Sequence, residues 1–291
     1  MSIGFSSYCF YRELKTQRIT IDGVITWAAE QACAHIELVP GLGFEISDSD
    51  EARRLARVIS AAGLRVSSYT MGANFIAPDR TAFEAEIARV QQAVEFAAIL
   101  GTTRMRHDLG FRPAAESDDA TFAADLPLFV EACQRIADHA RQYGIVTSIE
   151  NHGFHVQHSS RVLQVVETVA RDNFGITIDV GNFLCVDESP IDGVRRCAPK
   201  ASMVHFKDFH TGSPDPDEKG WFRSSSGRAL RGAILGEGFL DLPALAKVLV
   251  NSGYTGDCSV EFEGREPCET GVQRGLTVLR ELWAEAQEAC A

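Results

Sequence analysis

Residues 144–153 read GIVTSIENHG. A glycine opens a strand-forming run, and the run stops at Glu150, where Asn-His-Gly turns the chain. The same plan recurs downstream in GITIDVGN (175–182), ASMVHFKD (201–208) and CSVEFEG (258–264). These segments bring Asp179, His205 and Glu261 to the ends of their own strands. Consecutive strands that each deliver a metal-ligating group at the C-terminal end are what a closed α/β barrel needs to build one metal centre on its axis. Three carboxylates and one imidazole form an oxygen-rich site, suited to Mn²⁺, Mg²⁺, Co²⁺ or Zn²⁺.

Outward from this region, strand-like and helix-like patterns alternate along the whole chain. IGFSS, AHIELV, LRVSSYTM and TTRMRHDL read as the first four strands, and IVTSIE, ITIDV, ASMVHF and DCSVEFE as the last four. Helical patterns follow each of them, such as Ser47 to Ala62, Asp79 to Leu100 and Asp119 to Tyr143. Strict alternation implies a parallel sheet with helices outside. The expected fold class is α/β, a (β/α)8 barrel with residues 1–291 as one domain. An open doubly wound sheet is the alternative, weakened by the lack of GxGxxG after the first strand. Residues Asp208 to Leu240 read as a long loop without secondary structure, a candidate lid that carries Trp221.

Composition narrows the function. The formal charge is −12, which disfavours a nucleic-acid partner. The N-terminus MSIGFSSYCFYREL lacks a basic region followed by an apolar one, and no run is long enough to span a membrane. The eight cysteines are scattered without a CxxC pair and read as reduced core thiols, so the expected location is cytoplasmic.

Residues two apart on a strand share a face, so Glu150 pairs with His152, His205 with Lys207, and Glu261 with Glu263. Any single buried carboxylate could be a helix cap or an ion-pair partner. Three close together would repel one another without a cation. Around the quartet stand softer candidates for substrate binding. Asn182 could hydrogen-bond a substrate hydroxyl or merely form a turn. Lys207 could neutralise a developing anion or close a rim salt bridge. His152 and His107 could touch substrate or serve the core. Glu37 ends the second strand and could contact substrate or form a rim ion pair, and Trp221 could close over the site or pack on the rim. His155, His158 and His210 read as polar loop surface, and His35 as remote from the site.

The segments IENHG, TIDVGN, VHFKD and GEGFLDLPALAKVLVNSGYTGDCSVEFEG resemble the xylose-isomerase-like barrel superfamily of sugar (phosphate) isomerases and epimerases. The resemblance covers nearly the whole chain. It implies that Glu150, Asp179, His205 and Glu261 bind one divalent ion, with Mn²⁺ as the first choice. It also implies that Glu150 and Glu261 flank a carbohydrate substrate and move its proton through an enediolate. A homodimer is the family-like assembly. Lyases of the superfamily, dehydrating a keto-inositol or eliminating from a 3-keto-glycoside, are the alternative. An apurinic-site endonuclease is a remote one, since those enzymes need additional histidines. The chain departs from the ketohexose 3-epimerases of the superfamily at Thr211, where they carry arginine, and at Asn182, where D-x-x-H is replaced by Asp179-x-x-Asn182. Both departures point away from a free-ketohexose epimerase.

Overall fold

Helices begin where acidic caps precede apolar periodicity. Asp48, Asp79, Asp118 and Asp241 each accept a first-turn backbone N–H of the helix that follows. The structure is a computed structural model and describes residues 1–213 and 218–290. Its strands are β1 (Ser2–Ser6), β2 (His35–Leu38), β3 (Arg65–Met71), β4 (Arg104–His107), β5 (Val146–Glu150), β6 (Phe174–Asp179), β7 (Ala201–Phe206), β8 (Asp208–Gly212), β9 (Phe222–Arg223), β10 (Ala229–Ala233) and β11 (Asp257–Val260). Its helices are α1 (Tyr11–Lys15), α2 (Ile21–Glu30), α3 (Ser49–Ala61), α4 (Arg80–Ile99), α5 (Asp119–Arg141), α6 (Ser159–Val169), α7 (Pro190–Cys197), α8 (Leu242–Asn251) and α9 (Cys268–Cys290). Among the described residues no helix is long and apolar enough to cross a membrane.

Eight parallel strands close in the order β1-β11-β7-β6-β5-β4-β3-β2, the expected TIM barrel. Alternation along each strand sorts the side chains. On β6, Phe174, Ile176 and Ile178 join the apolar core, while Thr177 meets Ser148 of β5 at 2.9 Å. Asp179 continues the Thr177 face upward to the C-terminal rim.

Two expectations need correction. The eighth barrel strand is shorter than DCSVEFE, since β11 ends at Val260 and Glu261 lies just beyond it. The backbone N–H of Glu261 still donates to Phe206 O at 3.0 Å, which keeps it aligned beside β7. The segment from Asp208 to Leu240 is also not structureless. β10 pairs antiparallel with both β8 and β9, and Phe209 and Leu230 pack with Leu184 and Cys185 in a small apolar cluster of their own. Residues 214–217 of that segment lie outside the described residues. The buried Asp208 pins the ribbon. Its carboxylate accepts backbone N–H groups from Phe209, Gly236, Gly238 and Leu240 at 2.9–3.2 Å. The lid expectation assumed a slack loop, whereas strand pairing and the Asp208 carboxylate hold the segment.

The opposite, N-terminal end of the barrel is held by charge. The Asp257 carboxylate accepts from Ser2 Oγ at 2.5 Å, from Arg65 Nη1 at 2.7 Å and from Arg104 Nη1 at 3.1 Å. Burial would raise the Asp257 pKa, but hydrogen bonds from Arg65 and Ser2 outweigh it and hold the group down to about 2. A carboxylate with a depressed folded pKa contributes stability above its unfolded pKa and loses it as pH falls through the folded one. Stability carried by Asp257 is therefore expected in full above about pH 4 and to drain toward pH 2. Asp257→Asn should cost roughly 2 kcal/mol at neutral pH in urea melts. This is less than breaking a fully buried pair, because Arg65 is half exposed. The variant should also show a flatter stability profile between about pH 4 and 2 than the parent.

Candidate metal centre

Ligand atoms of Glu150, Asp179, His205 and Glu261 all lie within 4.8 Å of one another. They come from the ends of β5, β6 and β7 and from the residue that follows β11. His205 Nδ1 lies 3.4 Å from Glu261 Oε2 and 3.9 Å from Glu150 Oε2. Asp179 uses Oδ1 for the turn, accepting the N–H groups of Gly181 and Asn182 at 2.8 and 3.0 Å. Its Oδ2, together with Glu261 Oε2 and His205 Nδ1, is buried without a hydrogen bond. Buried polar atoms without a hydrogen bond are unfavourable, and these converge on one region, where Lys207 is the cation nearest both carboxylate oxygens.

The surrounding residues fix the quartet. Glu37 Oε2 sits 2.8 Å from His205 Nε2, and Thr70 Oγ1 donates to Glu37 Oε1 at 2.5 Å. Glu37 is fully buried and does not line the cavity, so it backs the imidazole instead of meeting a substrate. Asn182 Nδ2 donates to Glu150 Oε1 at 3.0 Å. Lys207 Nζ reaches Asp179 Oδ2 and Glu261 Oε2, both at 3.2 Å, and Glu263 Oε1 at 3.3 Å. Both ends of the Asn151 amide clamp the main chain of Asp179 at 2.8 Å, joining β5 to β6.

Electrostatics follow from this crowding. Burial lowers the Lys207 pKa, but Asp179, Glu261 and Glu263 lift it well above the usual lysine value. Burial likewise lowers His205, and Glu37 and Glu261 more than reverse it. For Glu261 burial raises the pKa, yet Lys207 and His205 hold it well below the ordinary carboxylate range. Burial pushes Asp179 up, and the neighbouring Glu261 and Glu150 add to that. The carboxylates Glu37, Asp108, Glu150, Asp179, Glu261 and Glu263 outnumber Arg106, Lys207 and His205, so the cluster is short of positive charge.

The expected substrate contacts divide. His152, Lys207, Glu150 and Glu261 line a cavity of about 560 Å³, and the His152 side chain is half exposed beside Asp108. Asn182 is buried and does not line the cavity, so its amide serves Glu150 and not a substrate hydroxyl. His107 belongs to the other face of β4. It is fully buried with Phe75 and Phe174 against its ring, so the expected substrate contact is corrected. The neighbours that alternate with it, Arg106 and Asp108, line the cavity instead. Arg106 Nη2 lies 2.9 Å from Glu150 Oε2 and 2.6 Å from Asp108 Oδ1. Strand parity identifies them once Arg106 is aligned with Ser148 on β5, whereas choice by residue type favours the histidine. Trp221 packs on the ribbon under Arg231, whose guanidinium is 4.8 Å from the ring centroid, and it does not line the cavity. His155, expected on the surface, is buried with Nε2 2.9 Å from Asp125.

Comparison with known proteins agrees with this geometry. A model of the xylose isomerase-like TIM barrel family matches residues 25–282. An inosose dehydratase of Lacticaseibacillus casei is 24% identical over 132 residues, 45% of this chain and 44% of that enzyme, so the match spans under half of its length. A ketose 3-epimerase of Arthrobacter globiformis is 24% identical over 255 residues, 86% of this chain and 80% of the epimerase. Among solved structures, the IOLI protein with a bound zinc atom superposes with a TM-score of 0.76 at 16% identity, covering 98% of this chain and 99% of its own. The family match runs from within α2 to within α9 and so takes in the strand ends that carry the quartet. The chain belongs to the xylose isomerase-like TIM barrel family.

Proposed function

We propose that this chain isomerises or epimerises a small polyol, keto-sugar or sugar acid by moving a proton at a carbon next to a carbonyl. In this reading Glu150, Asp179, His205 and Glu261 hold a divalent cation. The observation that carries it is the convergence of their ligand atoms to within 4.8 Å at the floor of the cavity. The donor set fits such an ion, because the buried atoms without a hydrogen bond are carboxylate oxygens and an imidazole nitrogen. When bound, the cation supplies Lewis-acid stabilisation of negative charge developing on substrate oxygens. Mn²⁺ is the first choice, with Mg²⁺, Co²⁺ and Zn²⁺ as alternatives. A cytoplasmic location and a homodimer go with the same reading.

The chain's own residues then divide the work. Glu150 ends β5 and Glu261 follows β11, with β6 and β7 between those strands, so they approach a substrate on the axis from two sides. One removes the proton next to the carbonyl, and the other returns or donates one. Lys207 beside Glu261 holds that carboxylate in its ionised form. Arg106 and Asn182 hold the two oxygens of Glu150, which fixes its direction. His152 at the mouth offers a polar edge to substrate hydroxyls.

A second reading is dehydration, in which the same proton abstraction is followed by loss of a β-hydroxyl. It is favoured by the similarity to inosose dehydratase and by the unequal settings of the two glutamates, one held by arginine and the other by lysine.

The deciding experiment incubates the protein with Mn²⁺, keto-sugars and keto-inositols in D₂O and follows carbon-bound deuterium by NMR. Incorporation without loss of water marks an isomerase or epimerase, and an unsaturated product marks the lyase. No exchange with any of these compounds would reject both readings. Glu150→Gln and Glu261→Gln should each lower turnover by about 10²–10⁴ with metal content measured alongside. A variant that keeps both metal and turnover has not lost the base. Glu37→Gln should weaken Mn²⁺ binding by about 10–100-fold in calorimetric titration, because it loosens the carboxylate behind His205. Unchanged affinity would show that Glu37 has no part in holding the imidazole.

A further inference from the structure

The cavity does not end at the carboxylates. From the metal-ligating cluster it continues over the rim between β2 and β3 and reaches α4. Its far arm is walled by Val39, Leu42, Ile46, Tyr69, Ala93 and Phe96. On α4, Val90, Val94 and Ala97 are fully covered, but Ala93 and Phe96 keep 3% and 7% of their surface open. Val39 and Ile46 on the facing loop keep 8% and 6%. Each of them is buried, yet each contributes to the cavity wall. Glu45, Arg89 and Gln92 form a polar rim where the arm meets solvent.

The register explains why an arm exists here. Ile36 pairs with Val66 and Leu38 with Tyr69, so β3 spends one more residue than β2 over the same interval. Such an irregularity re-aims the side chains beyond it. Thr70 turns inward to Glu37, and Tyr69 turns toward α4. The Val39 N–H is held by Ser7 Oγ at 2.9 Å, which fixes the start of the loop that follows β2.

We propose that this arm receives an apolar substituent of the substrate, of aryl or alkyl type, so that the substrate is a carbohydrate carrying such a group and not a bare sugar. The inference rests on the carbohydrate reading of the metal-ligating end. The metal-ligating carboxylates stand at one end of a single continuous cavity, and the other end is walled mainly by apolar side chains inside a polar rim, which is a division that suits an amphipathic ligand. Size agrees. A six-carbon sugar at the packing density of protein interiors would fill only about a third of the 560 Å³. The remainder, walled mainly by apolar side chains, would hold only water around a bare sugar.

The test reads binding, not turnover. Phenyl and methyl β-D-glucopyranoside serve as probes for the metal-free protein, followed by saturation-transfer NMR and competition. The phenyl glycoside should bind at least about tenfold more tightly than the methyl glycoside, the scale for burying a ring-sized apolar group. Saturation should be strongest on the ring protons. Ala93→Leu and Val39→Phe fill the arm from opposite walls, and each should remove most of that preference. Melting curves check that both variants fold, and the wild-type comparison stands without them. Equal affinity for the two glycosides, no binding of the phenyl glycoside, or a preference surviving in both folded variants would overturn the proposal. So would a dimer that excludes the phenyl probe and dissociates when Val39→Phe fills the arm, which would assign the arm to a second copy of the chain. Deuterium exchange on bare keto-sugars decides the catalytic reading separately, so either reading can fail while the other stands.

Discussion

Like charges brought together out of water set the terms for this molecule. The barrel drives Glu37, Glu150, Asp179 and Glu261 toward one axis and buries them, and each carboxylate raises the cost of its neighbours. Lys207 and Arg106 answer part of that charge, and the imidazole of His205 takes a place among the carboxylates. What the side chains leave unanswered is the reason to assign a cation here. The ordered neighbours, Thr70 behind Glu37 and Asn151 across β5 and β6, serve to hold repelling groups still.

The chain separates chemistry from stability by placing them at opposite ends of the same strands. Asp257 opens β11 and ties Ser2, Arg65 and Arg104 across the N-terminal end, while Glu261, just past the other end of β11, belongs to the cluster. Between them the barrel interior is small and polar, as at Ser148 and Thr177. Neither end needs the other's charges for its own compensation, so the C-terminal rim is free to be shaped by its loops.

The barrel and its quartet were legible in the sequence because each rests on a local signal. Glu150, Asp179 and Glu261 each follow an uninterrupted strand-forming run, and period-two alternation places them on one face. The neighbourhood was less legible. His107 attracted attention by residue type, yet the parity of β4 hands the inner face to Arg106 and Asp108. Glu37 was seen at its strand end, but whether it meets substrate or an imidazole depends on β2 lying across the barrel from β7. Trp221 stood in a polar segment whose short strands are specified by pairing with one another, β8 with β10 across some twenty positions. The arm toward α4 left no local trace, since it follows from one irregular step between β2 and β3.

The pentapeptide VHFKD, residues 204–208, assigns alternate positions to different tasks. His205 and Lys207 face the carboxylates, Val204 and Phe206 face the apolar layer, and Asp208 grips the ribbon. No spacer separates these tasks. A single-residue insertion or deletion here would exchange inner and outer faces and release the ribbon in the same event, whereas elsewhere on the rim length can change loop by loop. This segment should therefore vary by substitution and hold its length, a reading frame in side-chain direction that ties the evolution of the ribbon to that of the site.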